Sequence, residues 1–322
     1  MSTPDTPPVV SADVLVVGAG PTGLYAAFRG LSVAVVDSLP EPSGQVTAMY
    51  PEKQIFDVAG FPSVRGRELV ERLLEQAAPF GPRYLLGHRA DVLERGLGTF
   101  AVTTHLGTRI EARAVIVTGG IGTFTPRPLV PAAAFEGNGL AYFVRHLDDY
   151  AGGGDSAFDW ALALHPVAKS VKLVHRRETF RAHPATVAAV REPGVELVVN
   201  AEVSRVLGGP EVAGVELKGG EGARTLRCGR IIAALGFTAN LGPLLRWGFD
   251  VENRRHIPVD AAMTTSVPGI FAAGDIIDYP GKVRLIAVGF GGAATAVNNA
   301  AHHLDPAAPV SPGHSTDEPA RI

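Results

Sequence analysis

The stretch from Ala12 to Asp37 leaves this chain few folds to choose from. Asp13-Val14-Leu15-Val16-Val17 is a short apolar run ending in Gly18-Ala19-Gly20-Pro21-Thr22-Gly23, and after a short helix Ser32-Val33-Ala34-Val35-Val36 ends in Asp37. Apolar runs of this kind suit parallel strands buried on both faces. The glycines let the backbone turn tightly and approach a pyrophosphate, which sits at the positive end of the following helix. Asp37, closing the second strand, can accept hydrogen bonds from the ribose hydroxyls of an adenosine. A lone G-x-G-x-x-G says little. Here it lies between a strand and a helix, with an acid after the next strand, and that context marks a nucleotide-binding βαβ unit.

The 322 residues suffice for two domains of ordinary size. With 29 basic and 32 acidic residues the chain is close to neutral. That balance argues against nucleic acid or a membrane surface as a partner, since both demand a clustered basic excess. No apolar run reaches membrane-spanning length, and Met1 to Pro8 has no basic segment leading into an apolar one. A cytoplasmic protein is therefore expected. Cys228 is the only cysteine, which excludes an intrachain disulfide and a C-x-x-C redox pair. H-E-x-x-H and G-x-S-x-G are also absent, so no catalytic triad or metal site is expected.

Beyond Asp37, the turn-rich segment Pro40 to Gln45 and the blocks around Tyr50, Phe56 and Phe61 belong at the ligand-holding edge of a parallel sheet. Helical spacing of Leu69, Val70, Leu73, Leu74 and Ala77 predicts a core-packing helix over 68–80. Phe100 to Thr104 and Arg109-Ile110 read as paired strands, and Ala112 to Val117 as a strand leading to Thr118-Gly119-Gly120. That glycine pair is either a second backbone approach to the nucleotide or a simple turn. Prolines from Phe124 to Pro128 mark a crossing into another domain.

There Gly152-Gly153-Gly154-Asp155-Ser156-Ala157 is a second glycine turn opening an apolar helix. The strand Ser170 to Val174 then ends in His175-Arg176-Arg177, where the first unit had an acid. Two guanidiniums suit the dianionic 2′-phosphate of NADP, as a carboxylate suits a free ribose hydroxyl. The run Arg230 to Phe237 closes this inserted domain. Gly269 to Asp275 returns to a strand ending in Gly-Asp, and an alanine-rich helix covers 291–304.

Two nested nucleotide units, acidic in one and basic in the other, resemble flavoproteins that bind FAD and NADPH. Tyr50-Pro51-Glu52-Lys53, Phe56 to Pro62, Thr118 to Phe124, Gly153 to Trp160 and Gly274 to Lys282 together resemble the thioredoxin-reductase-like ferredoxin/flavodoxin–NADP⁺ reductases, from about Asp13 to Thr316. The resemblance implies an α/β fold of two Rossmann-like dinucleotide-binding domains of the three-layer ββα type, the NADPH domain inserted in the FAD domain. Residues 1–123 and 238–322 would form the FAD domain and 124–237 the NADP domain. It implies FAD and NADP(H) as cofactors, ferredoxin or flavodoxin as partner, and a homodimer. Thioredoxin reductases share the architecture but carry a C-x-x-C pair, and one cysteine cannot do that dithiol chemistry.

Carried over position by position, the resemblance places the FAD pyrophosphate at Gly18, Gly20 and Thr22, in the turn closed by Gly23, and the adenosine ribose at Asp37. Gln45 would contact the flavin, Tyr50 would stack on one face of its ring, and Ala90 would meet the adenine through its backbone. Phe124 and Asp275 would also contact FAD, Asp275 at the ribityl chain. His314 and Thr316 match a C-terminal segment that covers the other flavin face from the second subunit. Taken alone, Tyr50 is a turn aromatic and His314 a tail histidine. Gly153, Gly154, Asp155 and Ser156, with His175, Arg176 and Arg177, would hold NADP(H). Hydride and single-electron transfer are the flavin's own chemistry, so the side chains are expected to position rather than react.

The chain departs from the family pattern at several points. The crossover helix between Leu24 and Leu31 is shorter by about one turn. His146-Leu147-Asp148-Asp149-Tyr150-Ala151 stands where an apolar strand should deliver the second glycine turn. The NADPH domain is therefore expected to be weakened or rearranged, with Leu140 to Val144 drafted as a replacement strand. An alternative function follows, a flavin-binding redox sensor or interaction protein with an impaired NADPH domain. Ser43 and Gly292 stand where glycine and an acid are usual.

Overall fold

The computed structural model describes residues 9–26, 31–49, 51, 54–142, 157–180, 184–192, 194–219 and 222–311. The first segment runs β1 (Val9–Val17), α1 (Pro21–Tyr25), β2 (Val33–Asp37), α2 (Gln45–Met49), β3 (Gln54–Ile55), β4 (Val64–Arg65), α3 (Gly66–Ala77), β5 (Arg83–Leu86), β6 (Ala90–Arg95), β7 (Phe100–Thr104) and β8 (Arg109–Val117). Six of these strands form a sheet in the order β5-β2-β1-β8-β7-β6, and a later strand, β19 (Ile270–Ala272), joins it as the seventh. β5, β2, β1, β8 and β19 are parallel, whereas β6, β7 and the start of β8 are an antiparallel meander.

One long strand serves both parts. Residues 109–112 of β8 pair with β7 and residues 115–117 with β19, so the expected short strand at Arg109-Ile110 and the strand Ala112 to Val117 are continuous.

The alternation of side chains along β1 sets up the layers. Leu15 and Val17 face a core with Phe100, Val102, Ile110, Trp247 and Phe249 on the meander side. Val14 and Val16 face the opposite core, where Ala293, Ala296, Val297 and Ala300 of the long helix Ile286–Leu304 lie against the sheet. Val14, Leu15 and Val16 are wholly buried. Burying a side chain of this size contributes about 1.5–3 kcal/mol. Meander, parallel sheet and helices form the three layers. Helix α3 buries Leu69, Val70, Leu73 and Ala77 against Leu24, Val46 and Ile55, the face its spacing predicts.

The shortened crossover is closed by polar contacts at the far end of the sheet. Ser32 donates to Asp13 Oδ2 from its backbone N–H at 3.0 Å and from its hydroxyl at 2.6 Å. Arg113 reaches Asp13 Oδ1 at 3.3 Å and the Leu304 carbonyl at 3.0 Å. The Ser32 bonds, ahead of Arg113, hold the Asp13 carboxyl below its usual range.

Between the first segment and β19 lie β9 (Thr123–Pro126), β10 (Leu140–Ala141), α4 (Ala157–Leu164), β11 (Lys172–Val174), α5 (Pro184–Arg191), β12 (Glu196–Val198), β13 (Ala201–Gly208), β14 (Val212–Gly219), β15 (Arg224–Arg227), β16 (Ile231–Ile232), β17 (Phe237–Asn240) and β18 (Ile257–Pro258). β20 (Ile277–Asp278) and α6 (Ile286–Leu304) follow β19. β9 and β17 are antiparallel, so the outgoing and returning chains lie side by side. Among the described residues this region has no continuous sheet. It has parallel pairs β10–β16 and β11–β12 and the antiparallel sheet β13-β14-β15. The expected replacement strand is present in its first part: Leu140 and Ala141 pair with Ile231 and Ile232, while residues 143 and 144 lie outside the description. The apolar run Arg230 to Phe237 is not one strand but two short ones, β16 and the start of β17.

Candidate functional site

Because β5, β2, β1, β8 and β19 are parallel, the loops after them meet along one edge of the sheet. They line a cleft of about 690 Å³. Taken across the sheet, its wall runs from His88, Arg89 and Ala90 after β5, through Asp37 after β2 and Gly18, Gly20 and Thr22 after β1, to Thr118–Gly122 after β8 and Asp275 after β19. Asp37 and Asp275 are three strand spacings apart, about 14 Å at 4.8 Å per step. Gln45, Phe56, Asp57, Arg284, Leu285 and Ile286 also line it, with Gln45 beside Gly120 and Arg284 within 3.9 Å of Asp278, three residues after Asp275.

The three glycines of the first turn have three different surroundings. Gly18 has φ of 112°, and a Cβ there would lie 2.6 Å from the Thr118 carbonyl oxygen. Gly23 does not reach the cleft; a Cβ would lie 1.9 Å from the Gly18 carbonyl oxygen, so its role is close packing behind the turn. At Gly20 a Cβ would meet nothing within 4 Å. Its bare backbone faces open cleft, as the approach of a pyrophosphate requires. Helix α1 is only five residues long, which limits the field at its N-terminus. Anion binding here rests on open amides and clear space more than on a macrodipole.

Thr118-Gly119-Gly120 forms a turn that lies along the cleft. The Thr118 hydroxyl donates to the Gly18 carbonyl at 2.7 Å, and Gly119 and Gly120 line the cleft. Thr22 wedges the loop to α6: a Cβ at Gly289 would lie 2.5 Å from its Oγ1.

The Asp37 carboxylate accepts from the Ala19 N–H at 2.7 Å through Oδ2 and from the Leu39 N–H at 2.8 Å through Oδ1. Each oxygen keeps a lone pair for a ribose hydroxyl. Burial pushes its carboxyl above the usual carboxylate range, against the lowering effect of the Leu39, Ala19 and Ser38 N–H groups.

Ser43 carries the strain that a family glycine would avoid. Its φ is 90°, it is fully buried, and its N–H donates to the Ala19 carbonyl at 2.6 Å. Its hydroxyl shares a 2.6 Å hydrogen bond with Thr47 at the start of α2. Sequence reading places Gln45 in a loop; it begins this helix. At Gly292, a Cβ would make ordinary contacts with Ala273 and Met263, so no close packing requires the glycine.

In the second unit His175 follows β11, with Nδ1 2.8 Å from the Arg177 carbonyl oxygen and its ring edge-on to Phe180 at 5.1 Å. Arg176 and Arg177 are exposed, and neither makes an ion pair among the described residues. Gly153, Gly154, Asp155 and Ser156 lie outside the described residues, as do Tyr50, His314 and Thr316. Phe124 lies in β9, where its backbone pairs with Ala239.

Several lining residues had no sequence signal. His88 and Arg89 follow β5, an edge strand too mixed in polarity to stand out. Arg284 precedes a helix whose first turn is glycine-interrupted, so the helix reads as starting at Gly291 when it starts at Ile286. Leu241 and Leu244 come to the cleft from beyond the inserted region.

Residues 12–300 match the family model described as pyridine nucleotide-disulphide oxidoreductase. The ferredoxin–NADP reductase of Salinispora arenicola is 59% identical over 318 residues, covering 95% of this chain and 98% of the relative. That of Frankia alni is 57% identical over 95% of this chain and 99% of its own, and that of Thermus thermophilus 46% over 96% and 97%. Among solved structures, T. acidophilum thioredoxin reductase superposes with a TM-score of 0.76 at 26% identity, covering 92% of this chain and 99% of that one.

Proposed function

The chain belongs to the pyridine nucleotide-disulphide oxidoreductase family, and from that premise we propose that it is an FAD-containing ferredoxin–NADP⁺ reductase. FAD, when bound, supplies the hydride exchange with NADP(H) and the single-electron exchange with a small redox protein. The observation that carries the reading is the cleft with an acid at each end and the open backbone of Gly20 between them. Those residues fit the group: space for a pyrophosphate at Gly20, unused lone pairs on Asp37 for a ribose, and Asp275 about three strands away for the ribityl chain.

Asp37 and the backbone at Ala90 would hold the adenosine, and Gln45, Tyr50 and Phe124 would meet the flavin. His314 and Thr316 of a second subunit would cover its far face, which makes a homodimer part of the proposal. Gly153 to Ser156 with His175, Arg176 and Arg177 would hold NADP(H). We assign 1–123 and 238–322 to the FAD domain and 124–237 to the NADP domain. Flavodoxin is proposed as a second acceptor, and the cytoplasm as the location. The half-buried Cys228 thiol, which burial pushes above its usual range, offers no route to dithiol chemistry.

The test is anaerobic addition of NADPH to the purified protein. Bleaching of the visible flavin band, followed by its return on adding ferredoxin, is expected. The polar sequence His146 to Ala151, where the family pattern has an apolar strand, favours one other reading, a flavin-binding sensor or interaction protein without NADPH turnover. A yellow protein that stays oxidised under NADPH would establish that reading instead.

A further inference from the structure

Two guanidiniums line the cleft, one at each end, and they differ in what neutralises them. At the Asp37 end, Arg89 donates to both oxygens of Asp91, at 2.6 Å from Nε and 3.0 Å from Nη2. Its charge is spent on that bidentate pair. At the Asp275 end, Arg284 has the Asp278 carboxylate at 3.9 Å, beyond hydrogen-bond reach. Its hydrogen bond goes to a neutral nitrogen, from Nη2 to His256 Nε2 at 3.1 Å. A guanidinium has five N–H donors and no acceptor, so most of its donors stay open and Nε2 must be the acceptor. The ring proton is then on His256 Nδ1, which is buried with no hydrogen-bond partner among the described residues. Leaving that donor unmade costs about 1–3 kcal/mol. The imidazole is thus set at a local cost in the one tautomer that can support Arg284.

Among the described residues no carboxylate hydrogen-bonds to Arg284, and its nearest ion pair is the 3.9 Å approach of Asp278. Lys282 lies outside the cleft lining with its ammonium 5.5 Å from the Tyr279 ring centre. Burial holds the Lys282 ammonium below the usual lysine range, with Asp275 the chief opposing influence. Asp278 is also engaged by the Tyr279 N–H at 3.2 Å. Of the charged groups here, Asp57, Asp275 and Arg284 line the cleft, and Arg284 is the one cation among them.

We propose that Arg284 raises the reduction potential of the bound flavin by placing fixed positive charge beside the pyrimidine edge of its ring, with His256 as its positioning residue. The inference rests on the FAD reading above. In a flavin the ribityl chain leaves the ring at N10, next to the N1–C2=O edge, so with Asp275 at the ribityl chain as proposed above, Arg284 in the same cleft would lie on the side of that edge. Hydride arriving at N5 from nicotinamide C4 brings two electrons and one proton, leaving the nicotinamide oxidised. The remaining negative charge resides at N1–C2=O unless a solvent proton follows. A cation there stabilises the reduced form more than the oxidised one.

The experiment is spectroelectrochemical titration of the full-length, FAD-loaded protein at fixed pH and ionic strength. Arg284→Ala is expected to move the midpoint potential negative, Arg284→Lys to keep most of the wild-type value, and His256→Ala to give a smaller negative shift. In the double variant the His256 effect should vanish, because nothing remains to position. If Arg284→Ala does not retain FAD, Arg284→Gln is compared with Arg284→Lys, and a more negative potential for Gln is expected. An unchanged midpoint in the neutral variant, or a His256 shift that persists without Arg284, overturns the proposal. A wild-type protein that takes up no FAD overturns the functional reading itself, so the two failures are distinguishable.

Discussion

Around Gly18 the strand that delivers the glycine turn is clamped on both sides: β1 pairs with β2 along residues 14–17 and with β8 from Val9 to Val17. Around the second glycine turn the described strands come as separate pairs, β10 with β16 and β11 with β12. Both units share a glycine turn, a helix and a charged strand end, but in the sequence only the first has an apolar run directly before its turn. Residues 143–156, which hold the second turn and the chain leading to it, lie outside the described residues, so the first unit carries the lesson: a strand paired on both sides leaves no unpaired buried backbone group, each of which has its own desolvation cost, and so holds its glycine turn in place.

The sharpest way to break the comparison is at Gly20. Gly20→Val places a side chain where the structure has open cleft, so FAD affinity should fall at least ~100-fold, the equivalent of about 2.7 kcal/mol. The thermal midpoint should scarcely move, because a Cβ there touches nothing within 4 Å. Gly23→Ala reverses the pattern: its Cβ would overlap the Gly18 carbonyl, and a loss of about 3 kcal/mol in unfolding free energy is expected. Flavin titration and thermal denaturation of both variants separate binding from packing. If Gly20→Val still binds FAD normally, the pyrophosphate is not held there.

The second unit is tested next. Charge-assisted hydrogen bonds contribute about 1.5–3 kcal/mol each. The double variant Arg176→Ala/Arg177→Ala should therefore lower the preference for NADPH over NADH at least about 100-fold in kcat/KM and leave FAD binding unchanged. Replacing the polar segment His146 to Ala151 by an apolar strand sequence should raise NADPH affinity about tenfold if that segment is what weakens the unit. Wild-type saturation at submicromolar NADPH would show instead that the second unit is intact.

How far the sequence revealed all this depended on burial. The strands of the first unit stood out because both faces are covered, so Val14 to Val17 are apolar without interruption. β5 did not, since as an edge strand it mixes exposed Arg83 with buried Leu85. α2 was hidden by the proline and glycine turn before it. At the site, Gly18, Gly20, Thr22, Asp37, Gln45, Ala90 and Asp275 were foreseeable from motif and resemblance, and the fold brings them to one cleft. His88, Arg89 and Arg284 were not, because a cleft assembled from five loops gives each contributor no local pattern of its own.

Asp37 sharpens the comparison through pH. Burial raises its carboxyl above the unfolded value of 3.8, so ionising it costs folding stability as pH rises through the folded value. Bound ribose hydroxyls donate to the ionised form. FAD affinity should thus decline about tenfold per pH unit below the raised value, from a higher pH than an ordinary aspartate would give. Asp37→Asn should weaken binding at neutral pH and flatten that acid limb.

The smallest effect falls on Ser43, the residue that ties the first unit's glycine loop to α2. Holding a non-glycine residue at φ of 90° costs about 1–2 kcal/mol. The hydroxyl's 2.6 Å bond to Thr47 returns about 0.5–1.5 kcal/mol. Ser43→Gly removes the strain, loses that bond and frees the unfolded chain at about 0.5–1 kcal/mol, so its stability should stay within about 1 kcal/mol of wild type. Ser43→Ala keeps the strain, loses the bond and leaves Thr47 with the Pro42 carbonyl as its remaining partner. It should be less stable than both by about 1 kcal/mol in chemical denaturation. If alanine instead matches serine, the hydroxyl bond contributes nothing, and the loop must be held by the Ser43 N–H to Ala19 carbonyl bond that all three residues can make.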